Sequence, residues 1–371
     1  MFDLFLCGDV MLGRGVDQLL PHPSKRHLYE AYADSAMVYV HLAEAVSGPM
    51  PHRVLPSYVW GDALQLLATV QPAARIVNLE TAITTAETHW PKGINYRMHP
   101  DNVDCLQTAQ IDCCVLANNH VLDWGFQGLA DTLVTLHRAG IATSGAGGEV
   151  AQAAAPAELP LGNGTRILVF SFATPGSGVP PEWAARVNAP GVNYLPDLTP
   201  RAAARVVELA QSHRRPGDFV IASIHWGPNW GHHILSEERM FAHALIDGGF
   251  HLLHGHSSHH AKGIELYQEK LILYGCGDFI NDYEGISGYE TYRTDLVSLY
   301  LPRIDRATGR LVSMKMWPFQ LRRFQLKRAS AEDATWLHRT LARESAKLGT
   351  IIDMHADGSF IIGNDEISKC I

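Results

Sequence analysis

The feature of this 371-residue chain that most constrains its fold is a regular alternation of short apolar runs with longer amphipathic stretches. The apolar runs have the length of buried strands, and the stretches between them repeat their apolar residues with a helical period. Strands are predicted at 2–8, 74–79, 112–117, 166–172, 218–224, 250–253, 271–275 and 295–301. Helices are predicted at 61–70, 125–138, 199–212, 236–247 and 330–347. This alternation favours βαβ crossovers and therefore an α/β fold.

Charge and hydropathy exclude two classes of partner. The chain has a formal net charge of −8 and no block of Lys and Arg, whereas a nucleic-acid partner requires a basic stripe. No run of about 18 apolar residues is present, and the first ten residues enter a strand at once. We therefore expect no nucleic-acid partner, no membrane association and a cytoplasmic location.

Cysteine usage points to the same compartment. None of the six cysteines forms a C-x-x-C pair, so neither a disulfide framework nor a thiolate zinc site is predicted. They are Cys7, Cys105, Cys113, Cys114, Cys276 and Cys370. Reduced thiols of this kind are typical of a cytosolic protein.

Most of the predicted strands end in side chains that bind metals or titrate. In chain order these side chains are Asp9, Glu80, Asn119, His120, Asp123, His225, His254, His256, His259 and His260. Ligands of α/β proteins bind at the carboxyl ends of the strands, so these groups are expected to meet at one edge. A mixture of oxygen and imidazole donors suits Mn, Fe or Zn, with Mg or Ca as further candidates.

Each of these residues also has a purely structural interpretation. A lone Asp9 or Asp123 more often caps a helix, and His225 could hydrogen-bond a backbone carbonyl. Independent capping, however, does not favour imidazole at the same sheet edge several times over. The whole set therefore predicts a metal centre.

Six blocks of the sequence, in this order, resemble the CapA-like (poly-γ-glutamate synthesis protein) family, a branch of the calcineurin-type metallophosphoesterase superfamily. They are GDVMLGR, VNLET, ANNHVLDWG, HWG, GHSSHH and LYGCGDFI, within residues 1–285. The resemblance implies an α/β fold of four layers, an α/β/β/α sandwich, with two divalent metal ions between the sheets. It implies a catalytic domain over 1–301, with the strands and helix of 302–371 packed on the same domain.

The resemblance also implies a role for each polar residue. The implied ligands are Asp9 and His259 for the first metal, Asn119, His225 and His256 for the second, and Glu80 between the two. His120 would act as an acid or base, oriented by Asp123. Met11 stands where the wider superfamily has a second histidine ligand, and Asp278 stands where the family more often has Asn.

Substrate contacts are predicted from residues beside these ligands. Arg14 and Arg97 could hold a carboxylate or phosphate, because a guanidinium makes bidentate contacts with oxyanions. Trp226 could stack on a substrate side chain, with core packing as the alternative. His254 is our candidate for a second base facing His120, with His232 and His233 as alternatives.

Two reactions are compatible with such a centre. The CapA-like family includes a stand-alone enzyme of lasso-peptide biosynthesis, and we expect this chain to resemble it in having no anchor. We therefore expect an epimerase that acts on a peptide substrate, at the α-carbon of the C-terminal residue of a ribosomal precursor, by acid–base proton transfer. The alternative is hydrolysis of a phosphoester or γ-glutamyl amide by metal-bound hydroxide. A non-catalytic binding protein is a third possibility, and the oligomeric state is not predicted.

Overall fold

Two large β-sheets and the helices around them form the framework of residues 1–363, the part of the chain described by this computed structural model. The strands are β1 Phe2–Val10, β2 His27–Glu30, β3 Ala33–Ser35, β4 Ala74–Leu79, β5 Ala82–Ile83, β6 Arg97–Met98, β7 Cys113–Val115, β8 Ala142–Ser144, β9 Ala146–Gly147, β10 Ala157–Gly162, β11 Thr165–Ala173, β12 Gly191–Val192, β13 Phe219–His225, β14 Leu252–His256, β15 Ile264–Tyr267, β16 Lys270–Leu273, β17 Asp278–Ile280, β18 Leu296–Ile304, β19 Leu311–Arg322, β20 Gln325–Arg328, β21 Asp353–Met354 and β22 Phe360–Ile362. The α-helices are α1 Arg14–Leu19, α2 Met37–Ser47, α3 Ala63–Val70, α4 Asp104–Thr108, α5 Gly125–Arg138, α6 Val150–Ala154, α7 Pro200–His213, α8 Ser236–Asp247 and α9 Ala331–Ala346. Short 3-10 helices lie at Pro100–Asn102, Pro175–Ser177, Pro181–Trp183 and Glu290–Tyr292.

Both sheets are mixed, and the predicted α/β class is confirmed. The ten-stranded sheet has the order β21-β22-β19-β18-β1-β4-β7-β8, with β17 beside β1 and β20 beside β19. Strands β4 and β17 run parallel to β1, whereas β18 runs antiparallel to it. The six-stranded sheet has the order β10-β11-β13-β14-β16-β15, and its four inner strands are parallel. The carboxyl ends of β1, β4 and β7 lie at one edge of the first sheet, and those of β13 and β14 at one edge of the second.

The core follows from the alternation of side chains along each strand. In β1, Leu4 and Leu6 join a hydrophobic cluster that also contains Ile221 of β13, in the second sheet. Phe5, between them in the sequence, belongs instead to a cluster with residues of α3, α4 and α5. A third cluster joins β11 and β13 to α7 and α8, and Phe170 of β11 is one of its members. Each large sheet therefore has apolar side chains on both faces.

Local signals in the sequence explain where several helices begin. Thr199 caps α7 by accepting a hydrogen bond from the backbone of Ala202, and Pro200 occupies the first helical position, where its missing N–H costs nothing. Ser330 caps α9 in the same way, accepting from Asp333.

The described part of the C-terminal segment continues the first sheet. Strands β19 and β22 extend it beyond β18, and Leu337 and Leu341 of α9 are buried in the cluster that both sheets share. Residues 364–371, which include Cys370, lie outside the described residues. Among residues 1–363, no helix has the length and apolar character required to cross a bilayer.

Candidate metal centre

Asp9, at the carboxyl end of β1, lies at the centre of the polar cluster. It is 1% exposed, and Asn78 Nδ2 of β4 donates a hydrogen bond of 2.7 Å to its Oδ1. Its Oδ2 is buried without a hydrogen-bond partner among the described residues. Burial, reinforced by the nearby carboxylate of Asp278, raises the pKa of Asp9 to about 7. A buried carboxylate oxygen without a donor is well placed to bind a cation.

A first group of possible ligands consists of Asp9, His259 and Asp278. Their ligand atoms all lie within 4.8 Å of one another, and His259 Nδ1 is 3.0 Å from Asp278 Oδ1. Asp9 and Asp278 are paired residues of the parallel strands β1 and β17. These strands lie so close together that a Cβ on Gly8 would be only 1.5 Å from the carbonyl oxygen of Gly277, so only glycine fits at this position.

A second group consists of Asp9, His225 and His256, again with ligand atoms within 4.8 Å of one another. The two histidines are paired in the register of β13 and β14, and their Nδ1 atoms are 2.8 Å apart. Asn119 Oδ1 lies 3.2 Å from His225 Nε2, and Glu80 Oε1 lies 3.8 Å from the same nitrogen. Asp9 is thus common to the two groups, and all six predicted ligands lie together.

Electrostatics also favour a bound cation at this place. Glu80 is 2% exposed, and burial, followed by repulsion from Asp9 and Asp278, raises its pKa well above the usual range. Three buried carboxylates at close range are unfavourable unless cations or protons neutralise them. The mixture of carboxylate, amide and imidazole donors fits divalent transition metals, with Mg or Ca as alternatives.

His120 lies beside this cluster and is held by a network of its own. Its Nδ1 is 2.6 Å from Asp123 Oδ2, and its Nε2 is 3.9 Å from Glu80 Oε1. Lys92 Nζ forms an ion pair of 2.7 Å with Asp123 Oδ1, and the ring of Tyr96 stacks on His120 at 3.8 Å. Burial, aided by the charge of Lys92, lowers the pKa of His120 well below its usual value. The contacts with Asp123 and with the Tyr96 ring therefore hold the imidazole in one orientation.

A cavity of about 440 Å³ opens directly onto these groups. Its polar lining includes Lys92, Asn119, His120 and His259, and its aromatic lining includes Trp230 and Tyr289. The ring planes of Trp230 and Tyr289 are stacked at 3.8 Å. The volume is within the range of ordinary small-molecule sites.

His254, the predicted second base, does not border this cavity. It is fully buried, with its Nε2 2.7 Å from the carbonyl oxygen of Cys7 and its Nδ1 3.1 Å from Ser223 Oγ. Burial lowers the pKa of His254 to about 4. Both nitrogens already have partners within the protein, so His254 cannot face His120 across a substrate.

The predicted substrate contacts Arg97 and Trp226 also lie away from the cavity. Arg97 donates to the backbone carbonyls of Ala86 and Lys25 and packs over a tryptophan ring. Trp226 is 2% exposed and donates from Nε1 to the carbonyl of Tyr274, within the hydrophobic cluster that joins the second sheet to α7 and α8. Both side chains therefore bind other parts of the protein, and neither is placed to make the predicted substrate contact.

Arg14 does border the cavity, but its hydrogen bonds are directed to the protein. It donates to Asp282 and Glu30, and its side chain is 2% exposed. The guanidinium is therefore not free to hold a substrate carboxylate. The role predicted for Arg14 from the sequence is not supported by these contacts.

Two residues of the site were missed or left undecided by the sequence. Lys92 lies in the irregular segment between β5 and β6, where no periodic pattern or strand end marks a functional side chain. The ligand position of Asp278 depends on the pairing of β17 with β1, a contact between residues about 270 positions apart. Its place three residues after the apolar run 271–275 was the available signal.

The family of this protein follows from the match of its sequence to a family model. The chain belongs to the family of bacterial capsule synthesis proteins, whose family model, PGA_cap, matches residues 3–283. The predicted family resemblance is confirmed.

Relatives with a described role support the same assignment. The chain is 47% identical over 348 residues to a probable polyglutamine synthesis accessory protein of Mycobacterium tuberculosis, covering 93% of this chain and 92% of that protein. It is 27% identical over 258 residues to the PGA biosynthesis protein CapA of Bacillus subtilis, covering 68% and 65% of the two chains. It is 22% identical over 277 residues to the capsule biosynthesis protein CapA of Bacillus anthracis, covering 75% and 59%.

Proposed function

We propose that the chain is a metal-dependent hydrolase that cleaves a γ-glutamyl amide in a peptide or a glutamyl polymer. The observation that carries this proposal is the pair of ligand groups that share Asp9 and lie beside the His120–Asp123 pair at one cavity. The roles named for the relatives, in polyglutamine synthesis and in PGA biosynthesis, support the choice of a glutamyl amide over a phosphoester.

The proposal includes the arrangement of layers and the cofactors. The three hydrophobic clusters support a four-layer α/β/β/α sandwich, since one cluster contains residues of both sheets and the other two join a sheet to helices. Two divalent cations would be held by Asp9, His259 and Asp278, and by Asp9, His225 and His256, with Asn119 and Glu80 close by. Such cations polarise a carbonyl group and lower the pKa of water.

The residues of this chain would position the substrate and move the proton. Asp123 accepts from Nδ1 of His120, which leaves Nε2 to take a proton from the attacking water and pass it to the leaving amine. Lys92 holds Asp123 and the backbone carbonyl of Asn119, so it fixes the loop on which His120 lies. The aromatic lining, with Trp230, excludes water from the remainder of the bound ligand.

Epimerisation at the α-carbon of a peptide's C-terminal residue is the second candidate. One observation favours it: His120 and His259 both line the cavity, and each has an aspartate behind it, Asp123 at 2.6 Å and Asp278 at 3.0 Å. In this reaction His259 would act as the second base, in place of His254, and would then not bind the first cation, which Asp9 and Asp278 would hold. A base on each side of the α-carbon is what a two-base proton exchange requires.

Isotopic labelling distinguishes the two reactions. The metal-loaded protein is incubated with γ-glutamyl oligomers and with short peptides, once in deuterated water and once in water enriched in oxygen-18. Hydrolysis places the heavy oxygen in a new carboxylate and releases a fragment, whereas epimerisation places one deuterium at the α-carbon of an intact chain. The proposal of hydrolysis is wrong if only the deuterium product forms.

A variant tests the role of His120 in the same assay. His120→Asn retains a group that can hydrogen-bond Asp123 but removes Nε2, so we expect turnover to fall by roughly 10²–10⁴-fold, the usual contribution of a positioned acid or base. His137→Asn, an exposed position on α5, is the matched control and should keep full turnover. Equal activity of the two variants would exclude His120 as the proton carrier.

A further inference from the structure

We propose that Arg14 and Asp282 form a positioning pair that fixes the separation of Asp9 and Asp278 across strands β1 and β17. The proposal rests on the metal centre proposed above and assigns Arg14 a role in building that centre. It concerns the segments that follow β1 and β17, because Arg14, at the start of α1, and Asp282 each lie a few residues beyond a possible ligand.

The contact between the two segments is bidentate and buried. Arg14 Nε donates to Asp282 Oδ2 at 3.1 Å, and Arg14 Nη2 donates to Asp282 Oδ1 at 2.5 Å. The backbone N–H of Gly15 donates to the same carboxylate at 2.8 Å. The side chains of Arg14 and Asp282 are 2% and 0% exposed. A planar guanidinium held in this way defines distance and orientation together.

Short connections join the pair to the two ligands. Asn281, next to Asp282, donates from Nδ2 to Asp278 Oδ2 at 2.9 Å and so orients that carboxylate. Between the segments, the backbone N–H of Met11 donates to the carbonyl of Ile280 at 2.8 Å, which continues the pairing of β1 and β17. A shift of Asp282 therefore moves Asn281 and changes the position of Asp278 relative to Asp9.

The same guanidinium also lies behind the ring that supports His120. The Cζ atom of Arg14 is 3.7 Å from the ring centroid of Tyr39 and 4.7 Å from that of Tyr96, and Tyr96 stacks on His120. Arg14 adopts a φ of +45°, a left-handed conformation that is strained for a residue with a side chain. The burial of an ion pair is weak evidence that the pair stabilises the fold. Backbone strain, as at Arg14, is typical of functional sites. The pair is therefore better explained by the geometry that it imposes.

The test is the metal affinity of Asp282→Asn, measured by calorimetric titration of the metal-free protein with Mn²⁺. We expect the affinity to fall by roughly 10- to 100-fold, the usual effect of removing a group that orients metal ligands. The visible absorption of the Co²⁺-loaded protein should change as well, since this absorption reports the arrangement of the ligands. Neither measurement depends on knowing the substrate.

Asp218→Asn is the matched control. Asp218 is also buried in a bidentate pair, with Arg166 Nη2 at 2.6 Å from Oδ2 and Nε at 3.3 Å from Oδ1. It lies just before β13, at the opposite end of that strand from His225. We expect Asp218→Asn to lose stability but to bind Mn²⁺ with an affinity within about twofold of the wild type, as expected for a site that shares no partners with the metal centre.

The outcomes are distinct. Wild-type affinity and an unchanged Co²⁺ spectrum in Asp282→Asn would overturn the positioning role, while Mn²⁺ binding by the wild type would leave the proposed metal centre intact. Failure of the wild type to bind Mn²⁺ would overturn both. If Asp282→Asn does not fold, Arg14→Lys decides, because it retains the charge but not the forked contact. Its affinity should fall several-fold, and an unchanged value refutes the proposal.

Discussion

At the scale of single residues, Asp9 combines a structural liability with a proposed function. It is buried beside two further carboxylates, and one of its oxygens has no donor among the described residues. Such an arrangement costs stability in the metal-free protein, because like charges in a region of low dielectric repel each other. Sites that bind cations often accept this cost, and substitutions that remove it stabilise the fold while they abolish binding.

Asp9→Asn should therefore raise stability and abolish metal binding together. Asparagine keeps an oxygen for the hydrogen bond from Asn78 but removes one negative charge. If the substitution removes repulsion equal to one pKa unit, the free energy of unfolding rises by about 1.4 kcal/mol. We expect the metal-free variant to unfold at a higher temperature than the metal-free wild type, and added Mn²⁺ to shift only the wild type. A lower unfolding temperature, or a retained shift with Mn²⁺, would contradict this account.

The sequence identified most of the possible ligands that the structure brings together, but not the groups that orient them. Asp9, His225 and His256 were recognisable because each directly follows or ends an apolar run, and strand ends meet at one edge of a sheet. Lys92 and Asp282 were not assigned a role, because a residue in a loop has no periodic environment that indicates its neighbours. Trp226 and His254 satisfied the same sequence pattern as the ligands, yet their side chains lie in hydrophobic or inter-strand surroundings. Which way a side chain points near the end of a strand depends on register, and register is a property of the whole sheet.

At the scale of elements, the close approach of β1 and β17 brings the first ligand group together. Asp9 N donates to the carbonyl of Gly277 at 3.0 Å, and Asp9 is paired with Asp278 in the parallel register. This spacing has no room for a side chain at Gly8, because its Cβ would meet the Gly277 backbone at 1.5 Å. The two strands can carry adjacent carboxylates only because Gly8 lacks a side chain.

Gly8→Ala should consequently separate β17 from β1. We expect a loss of stability of about 1–3 kcal/mol, the usual cost of overpacking, together with weaker Mn²⁺ binding. Gly176→Ala is the matched control, since a Cβ there meets no atom closer than 3.7 Å. Chemical denaturation and calorimetric titration of both variants provide the comparison. Wild-type Mn²⁺ affinity in Gly8→Ala would show that the strand spacing does not set the ligand geometry.

The contact between β13 and the start of β14 predicts a dependence of stability on pH. His251 Nδ1 accepts a hydrogen bond of 2.9 Å from the backbone N–H of Val220, and Arg214 and Lys270 lie nearby. Burial, reinforced by these two cations, lowers the pKa of His251 to about 3, from a usual value near 6.5. Between these values the unfolded chain binds a proton that the folded chain does not, so stability falls as the pH is lowered through 6.5.

The expected loss from His251 is about 2 kcal/mol between pH 7 and pH 5. His251→Asn keeps a hydrogen-bond acceptor near Val220 but does not titrate, so its stability should decline less over this interval. Urea denaturation of both proteins at pH 7 and pH 5 gives the difference directly. Parallel declines of the two proteins would show that His251 is protonated in the folded state as well.

At the scale of the whole molecule, several regular elements were predictable from periodicity, but others, such as helix α2, and the assembly into two sheets were not. Predicted strand 74–79 matches β4, and predicted helices 125–138 and 236–247 match α5 and α8, because long amphipathic repeats depend on local residues only. The segment 142–165 had no such pattern, yet it contains strands β8, β9 and β10. A strand as short as β8, which lies at the end of its sheet, offers few alternating residues, and its pairing is decided by distant partners.

The position of α9 predicts that the described part of the C-terminal segment unfolds together with the rest of the chain. Leu341 is fully buried in the cluster that also contains Leu6 of β1 and Ile221 of β13. Leu341→Ala should therefore cost about 2–5 kcal/mol, and unfolding should remain a single transition, because a cavity at this point weakens the packing of both sheets. Arg339→Ala, an exposed position on the same helix, should leave stability within about 0.5 kcal/mol of the wild type. Unfolding in urea, followed by far-UV circular dichroism and by tryptophan fluorescence, measures both variants. Two separate transitions in Leu341→Ala, with only the first at lower urea than in the wild type, would mean that the segment from residue 302 onwards forms an independent unit.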